Sequence, residues 1–167
     1  SVQDFWRRWH MTLSRFMRDY VYIPLGGNRV SEPHILFNLF LTFLLVGLWH
    51  GAGWTFVVWG LLHGGALILE RLWRKTHVNL PRPLSWFLTF SFVNVAWIFF
   101  RAKTFTDATK VLTGMCGMKG IVLPESLSHT LSGLRQWGLE FGLSLRNIEG
   151  DLKTPLMIIV FLLLSLL

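Results

Sequence analysis

Three apolar runs of 15 to 17 residues limit what this chain can become more tightly than anything else in it. Ile35–Trp49 is apolar apart from Asn38 and Thr42, and it reaches spanning length if it extends from Pro33 into Gly51-Ala52-Gly53. Trp54–Leu69 is closed by Glu70 and Arg71, and Leu84–Phe100 follows Pro81 and Pro83 and is closed by Arg101. A fourth run begins at Leu156 and continues to Leu167. A helix rises ~1.5 Å per residue, so ~30 Å of hydrocarbon takes about 20 residues. In hydrocarbon every backbone N–H and C=O must find its partner within the protein, which helices achieve segment by segment. The expected class is therefore an all-α, polytopic membrane protein.

Composition agrees where it bears on this. Only 15% of residues are charged, against about 25% in soluble domains, and 52% are hydrophobic, with 14 Phe and 9 Trp. The net charge of +7 would suit nucleic acid, but it suits the cytoplasmic face of a bilayer equally well. Hydropathy decides for the lipid bilayer, and no nucleic-acid partner is expected. The single cysteine, Cys116, allows no internal disulfide and reads as a small apolar residue.

Residues 1–34 differ from the runs that follow. Arg7, Arg8, Arg15, Arg18 and Arg29 stand among Phe5, Trp6, Trp9, Phe16, Tyr20 and Tyr22. This mixture suits an in-plane or re-entrant helix, with aromatic rings at headgroup depth and guanidinium groups reaching phosphate. Pro24 and the Gly26-Gly27-Asn28 turn end any helix there. Residues 101–154 are less hydrophobic, and the spacing of Leu127, Leu131, Leu134 and Trp137 predicts amphipathic surface helices. The whole reads as one partial domain over 1–167: an interfacial or re-entrant segment (1–34), about three membrane helices (35–100), an amphipathic region (101–154) and the start of a further span (155–167). The chain opens without Met and stops inside an apolar run, so a piece of a longer polytopic protein is expected. Arg71, Arg74, Lys75 and Arg82 would share the cytoplasmic side with residues 1–34, although Arg101, Lys103 and Lys110 after the third span weaken that orientation.

Three of the six histidines fall where ionisable groups are unexpected: His10 in FWRRWHMTLS, His50 in GLWHGAGW and His63 in GLLHGG. An ionisable side chain in a membrane segment is costly and marks a candidate functional site. His50 lies about 22 Å along a helix counted from Ile35, inside the hydrocarbon layer. Gly47, Gly51 and Gly53 around it permit close backbone approach and a helix break, tolerated at depth only beside protein or a cavity. A neutral imidazole there can take a proton from an alcohol. On the residues alone three readings of His50 stand open: a packing imidazole, a catalytic base, or a haem or metal ligand. No two histidines have the i, i+4 spacing of a helical metal site, so no metal is assigned. His63 reads as structural, His10 as either an interfacial residue or the wall of a polar cavity, and His34, His77 and His129 as solvated loop residues.

DFWRRWHMTLSRFMRDYVYIPLGGNR (Asp4–Arg29), GLWHGAGWTFVVWGLLHG (Gly47–Gly64) and NVAWIFFRAKTFTDATKVLTGM (Asn94–Met115) follow one another in this chain. In that order and spacing they resemble the membrane-bound O-acyltransferase (MBOAT) family, in the bacterial branch typified by the alginate O-acetylation protein. The PLGGNR turn argues for that branch over the D-alanyl-transfer branch.

The resemblance implies an MBOAT-type helix bundle, here its C-terminal half, in the bacterial cytoplasmic (inner) membrane. It implies a multi-pass enzyme that moves an acyl group from a thioester, acetyl-CoA or another acyl donor, to a hydroxyl, with no bound cofactor. It casts His50 as the catalytic residue and His10 as a second active-site group. Arg7, Arg8, Arg15 and Arg18 are expected to meet donor phosphates unless they serve only as positive-inside anchors, and Trp49 and Asn28 are expected near donor or substrate. The acceptor would be an extracellular polysaccharide or cell-wall glycan, reached directly or by relay to a periplasmic acetyltransferase. The competing reading is a non-catalytic membrane scaffold or transporter component.

Overall fold

The computed structural model describes residues 1–118, 121–124, 133 and 139–142. They fall into two compact units, Ser1–Leu112 and Thr113–Leu167. The first unit is helical throughout. Two short helices, α1 (Val2–Arg8) and α2 (Met11–Met17), lead through a π-helical turn (Arg18–Tyr22) to three long ones, α3 (Glu32–His50), α4 (Trp54–Arg74) and α5 (Arg82–Arg101), and then to α6 (Phe105–Met115). The three long helices have the length and apolarity to cross a membrane, so the chain is a helical membrane protein.

Local chemistry sets the breaks. The Ser1 hydroxyl caps α1 by accepting from the amide of Asp4 at 3.2 Å. His10 adopts a left-handed backbone (φ 43°, ψ 51°) between α1 and α2, and its Nδ1 accepts from the Leu13 amide at 3.4 Å. The YIPLGGNR turn uses positive φ at Gly26 (98°) and Gly27 (53°), where a side chain would be strained. Asn38, 1% exposed in the middle of an apolar run, donates from Nδ2 to the Leu25 carbonyl at 3.0 Å and so fastens that turn to α3. Thr42 disposes of its hydroxyl on the Asn38 carbonyl at 2.6 Å. The two polar residues that interrupt the first run are thus both satisfied internally, as hydrocarbon requires.

Helices α3 and α4 form an antiparallel hairpin around the Gly51-Ala52-Gly53 break. They touch backbone to backbone: a Cβ on Gly47 would stand 2.5 Å from the Phe56 carbonyl oxygen and 3.2 Å from the Gly60 Cα, and one on Gly60 would strike the Phe43 carbonyl oxygen. Small residues are what permit such an approach where no hydrophobic force drives helices together. At the open end of the hairpin Arg71 grips Glu32 with two hydrogen bonds, 2.9 Å from Nε and 3.1 Å from Nη2, and Lys75 adds a third contact at 2.9 Å. Arg71 also donates to Asn28 Oδ1 at 3.3 Å, so the glycine turn and the end of α4 meet at this end of the hairpin.

Helix α1 runs down this hairpin instead of lying across its end. The Gln3 amide donates to Glu70 near the open end (3.0 Å), Trp6 reaches His63 halfway along α4 (3.1 Å), and the His10 ring stands 6.4 Å from that of Trp49 near the closed end. His50 is the last residue of α3, so the ring stands at the far end of a helix about 27 Å long. His34, expected in a loop, sits in the first turn of α3. Only Ala96 of α5 is buried, and exposed rings such as Phe37, Phe40, Trp54 and Phe87 suit a hydrocarbon solvent.

In the second unit Ile121–Pro124 (β1) and Leu139–Gly142 (β2) pair in parallel, with Ile121 opposite Leu139 and Pro124 opposite Gly142. No strand was expected within residues 101–154. A short run such as Ile121-Val122-Leu123 is compatible with either state by periodicity, and its β-branched residues favour the strand. Leu127, Leu131, Leu134, Trp137 and the run from Leu156 lie outside the described residues.

Two outcomes test this packing. Gly60→Val should destabilise the detergent-solubilised protein by about 1–3 kcal/mol, as overpacking does, whereas Gly65→Ala, whose added Cβ meets nothing within 4 Å, should leave the melting temperature unchanged. Asn38→Leu strands the Leu25 carbonyl and should cost roughly 1–2 kcal/mol, seen as a lower melting temperature and faster proteolysis at the Gly26-Gly27 turn.

Candidate active site

Toward the closed end of the hairpin aromatic rings gather: Trp6 from α1 and Trp9 just after it, Trp59 from α4, and Trp97 and Phe100 from α5. They surround His50. Its ring meets Phe100 edge-on at 4.9 Å (83°), Trp59 at 5.1 Å (88°) and the neighbouring Trp49 at 4.9 Å (74°). His50 makes no hydrogen bond to any described residue, so both ring nitrogens remain available.

A cavity of about 190 Å³ opens on this ring, and His10 lines it too, together with Trp6, Trp9, Trp59 and Phe100. Two imidazoles forty residues apart in sequence thus share one small chamber walled by indole and phenyl groups. His10 has already committed Nδ1 to the Leu13 amide, so its neutral ring carries the proton on Nε2 and is a donor there. His10 is donor by tautomer, whereas His50 is free to accept.

A second, larger cavity of about 650 Å³ lies toward the other end of the same helices. Arg7, Arg15, Arg18, Arg71 and Arg74 line it against a single acid, Glu70, so its walls are strongly cationic. Arg74 holds Glu70 (2.6 Å), Arg7 pairs with Asp4 (3.5 Å) and Arg18 with Asp19 (2.7 Å). The hydrogen bond from Arg18 holds the Asp19 carboxyl below the usual carboxylate range. Arg15 makes no ion pair among the described residues. Guanidinium forks arranged this way suit phosphate oxygens.

The residues singled out from sequence divide accordingly. His50 and His10 line the small chamber; Arg7, Arg15, Arg18 and Asn28 line the large one. Asn28 is partly engaged already, its Oδ1 accepting from Tyr22 (2.9 Å) and Arg71 (3.3 Å). Trp49 packs on both imidazoles but lines neither cavity, and Arg8 is exposed and lines neither. Sequence reasoning missed Arg71 and Arg74, which it took only for charges flanking a span, and it missed Trp6. The signal for Trp6 was present: an indole N–H buried in apolar surroundings needs an acceptor, and His63 was the polar residue left without a task. The two meet at 3.1 Å, His63 being fully buried. Trp59 Nε1 and His63 Nε2 have no hydrogen-bond partner among the described residues. The rings of Trp59 and Phe92 stand edge-to-face with His63, at 4.8 and 5.2 Å.

Comparison with known proteins places this arrangement. Over 127 residues the chain is 58% identical to the peptidoglycan O-acetyltransferase of Helicobacter pylori, covering 74% of this chain and 24% of that protein. It is 43% identical over 136 residues to the probable alginate O-acetylase AlgI of Pseudomonas aeruginosa, covering 81% of the chain and 26% of the relative. The teichoic acid D-alanyltransferase of Bacillus subtilis is 32% identical over 122 residues, 63% of the chain and 30% of the relative. The chain spans about a quarter of the length of the first two. The family model for the membrane-bound O-acyltransferase family, MBOAT, matches residues 1–106, which hold α1 to α5 and both cavities. This chain belongs to the membrane-bound O-acyltransferase family.

Proposed function

We propose that the protein containing this chain transfers an acetyl group from a thioester donor to hydroxyl groups of an extracellular polysaccharide or cell-wall glycan, directly or through a periplasmic acetyltransferase. Its place would be the bacterial inner membrane, which it crosses several times. The observation that carries this reading is the chamber touched by both His50 and His10. A histidine in a membrane helix that served packing alone would need no void against its ring.

In this reading the donor's phosphates rest among the arginines of the larger cavity while its acyl thioester extends into the smaller one. His50 accepts the proton of the acceptor hydroxyl as its oxygen attacks the thioester carbonyl. The tetrahedral oxyanion is met by the Nε2–H of His10. Collapse breaks the C–S bond, and the departing thiolate takes the proton from His50, so that ester and thiol leave and both histidines are restored. Base catalysis contributes roughly 10²- to 10⁴-fold; holding both reactants in a water-poor chamber supplies much of the remainder. The likeness to relatives named for peptidoglycan and alginate acetylation supports a glycan acceptor.

His50→Ala in the full-length protein should lower acetyl transfer by at least about 10²-fold while insertion and melting temperature are retained; full activity in a well-inserted variant eliminates the proposal. His10→Ala should cost about 10²- to 10³-fold, as removal of an oxyanion donor does, chiefly in kcat. Arg15→Gln combined with Arg18→Gln should instead raise KM for acetyl-CoA with little change in kcat, the two-parameter kinetics being measured in membranes at low salt.

A further inference from the structure

The arginine-lined and histidine-lined cavities share two residues, Trp6 and Leu13. Both are nearly buried, at 8% and 6% exposure, and each belongs to the wall of both spaces. The Trp6 indole is fixed in place: its N–H donates to His63 Nδ1 at 3.1 Å, and its ring is met edge-on by Phe43 at 5.0 Å and Trp59 at 5.8 Å. That bond is the only hydrogen bond His63 makes among the described residues, since its Nε2 has no partner. A fully buried imidazole is costly to keep in apolar surroundings, and holding Trp6 is the one task the structure gives it.

We propose that Trp6, pinned by His63 and backed by Leu13, is the partition that sets the length of acyl chain admitted from the arginine-lined cavity to the histidine-lined one. The inference rests on the acyl-transfer reading above. A donor whose phosphates stay with the arginines must pass its thioester carbonyl beside Trp6 and Leu13 to reach His50. Beyond them lies a chamber of about 190 Å³ walled by rings. An acetyl group brings one methyl past the carbonyl, whereas a hexanoyl group brings four methylenes more, which compete with the acceptor for that chamber and press on the indole that bounds it. His63 is in this sense a positioning residue: it touches no reacting atom and acts through the ring it holds.

The test uses the full-length protein in membranes, with acetyl-CoA and hexanoyl-CoA as probes and the ratio of their His50-dependent consumption as readout. Trp6→Ala and Leu13→Ala should each raise the hexanoyl-to-acetyl ratio by about tenfold or more, since even one methylene of pocket space discriminates roughly 10- to 200-fold. His63→Leu, which removes the acceptor, should shift the ratio the same way. His63→Gln, which keeps an acceptor, should hold it near the unsubstituted value. A merely structural role for these residues lowers both rates in parallel, and an unchanged ratio in Leu13→Ala and His63→Leu overturns the partition even if Trp6→Ala does not fold. If the unsubstituted protein consumes neither thioester in a His50-dependent way, the acyltransferase reading itself fails and the partition with it. Retained consumption with an unmoved ratio sinks the partition alone.

Discussion

The backbone contact between Gly47 and Gly60 is the constraint from which the rest of the helical unit follows. With no side chain at either position, α3 and α4 approach until a Cβ on one would strike the carbonyls of the other. That closeness brings the closed end of the hairpin together around the Gly51-Ala52-Gly53 break, where His50 ends one helix and Trp54 begins the next. It also leaves a groove along the hairpin into which α1 descends, bringing Trp6 against Phe43, Trp59 and His63. Water does not drive helices together in lipid, so steric fit of this kind has to supply the specificity.

Within that frame the polar groups are sorted by end. Glu32, Glu70, Arg71, Arg74 and Lys75 form ion pairs at the open end of the hairpin, while the closed end holds imidazoles among aromatic rings. Three buried polar side chains in between each have a task. Asn38 ties down the glycine turn, Thr42 bonds back to its own helix, and His63 receives the Trp6 indole. The arginines and the imidazole pair thus lie toward opposite ends of the hairpin, with Trp6 and Leu13 lining both of their cavities.

Much of this was legible in the residues. The apolar runs yielded the spans because hydrocarbon leaves a chain so few options, and the oddity of His50 and His10 marked the chamber before any coordinate did. Other features were hidden for identifiable reasons. Periodicity cannot say that Trp6 and His63, 57 positions apart, would meet. Arg71 and Arg74 obey the positive-inside pattern, and that sufficient explanation concealed their place in a cavity wall. The end of α3 at His50 was hidden because a helix ending at the histidine looks the same in sequence as one that continues into the glycines. The β1–β2 pair went unseen since strands of four residues carry too little pattern to separate strand from helix.

One detail of His10 reaches beyond its own position. Histidines at reactive sites commonly have a carboxylate behind them to fix the tautomer, but here the ring is set by a peptide N–H, that of Leu13, at the start of its own helix. A peptide group orients the imidazole without bringing in negative charge, and among the described residues no Asp or Glu lines the chamber. In the acyl transfer proposed above, a proton taken up by His50 would have no protein carboxylate beside it to hold it there, and the departing thiolate would receive it.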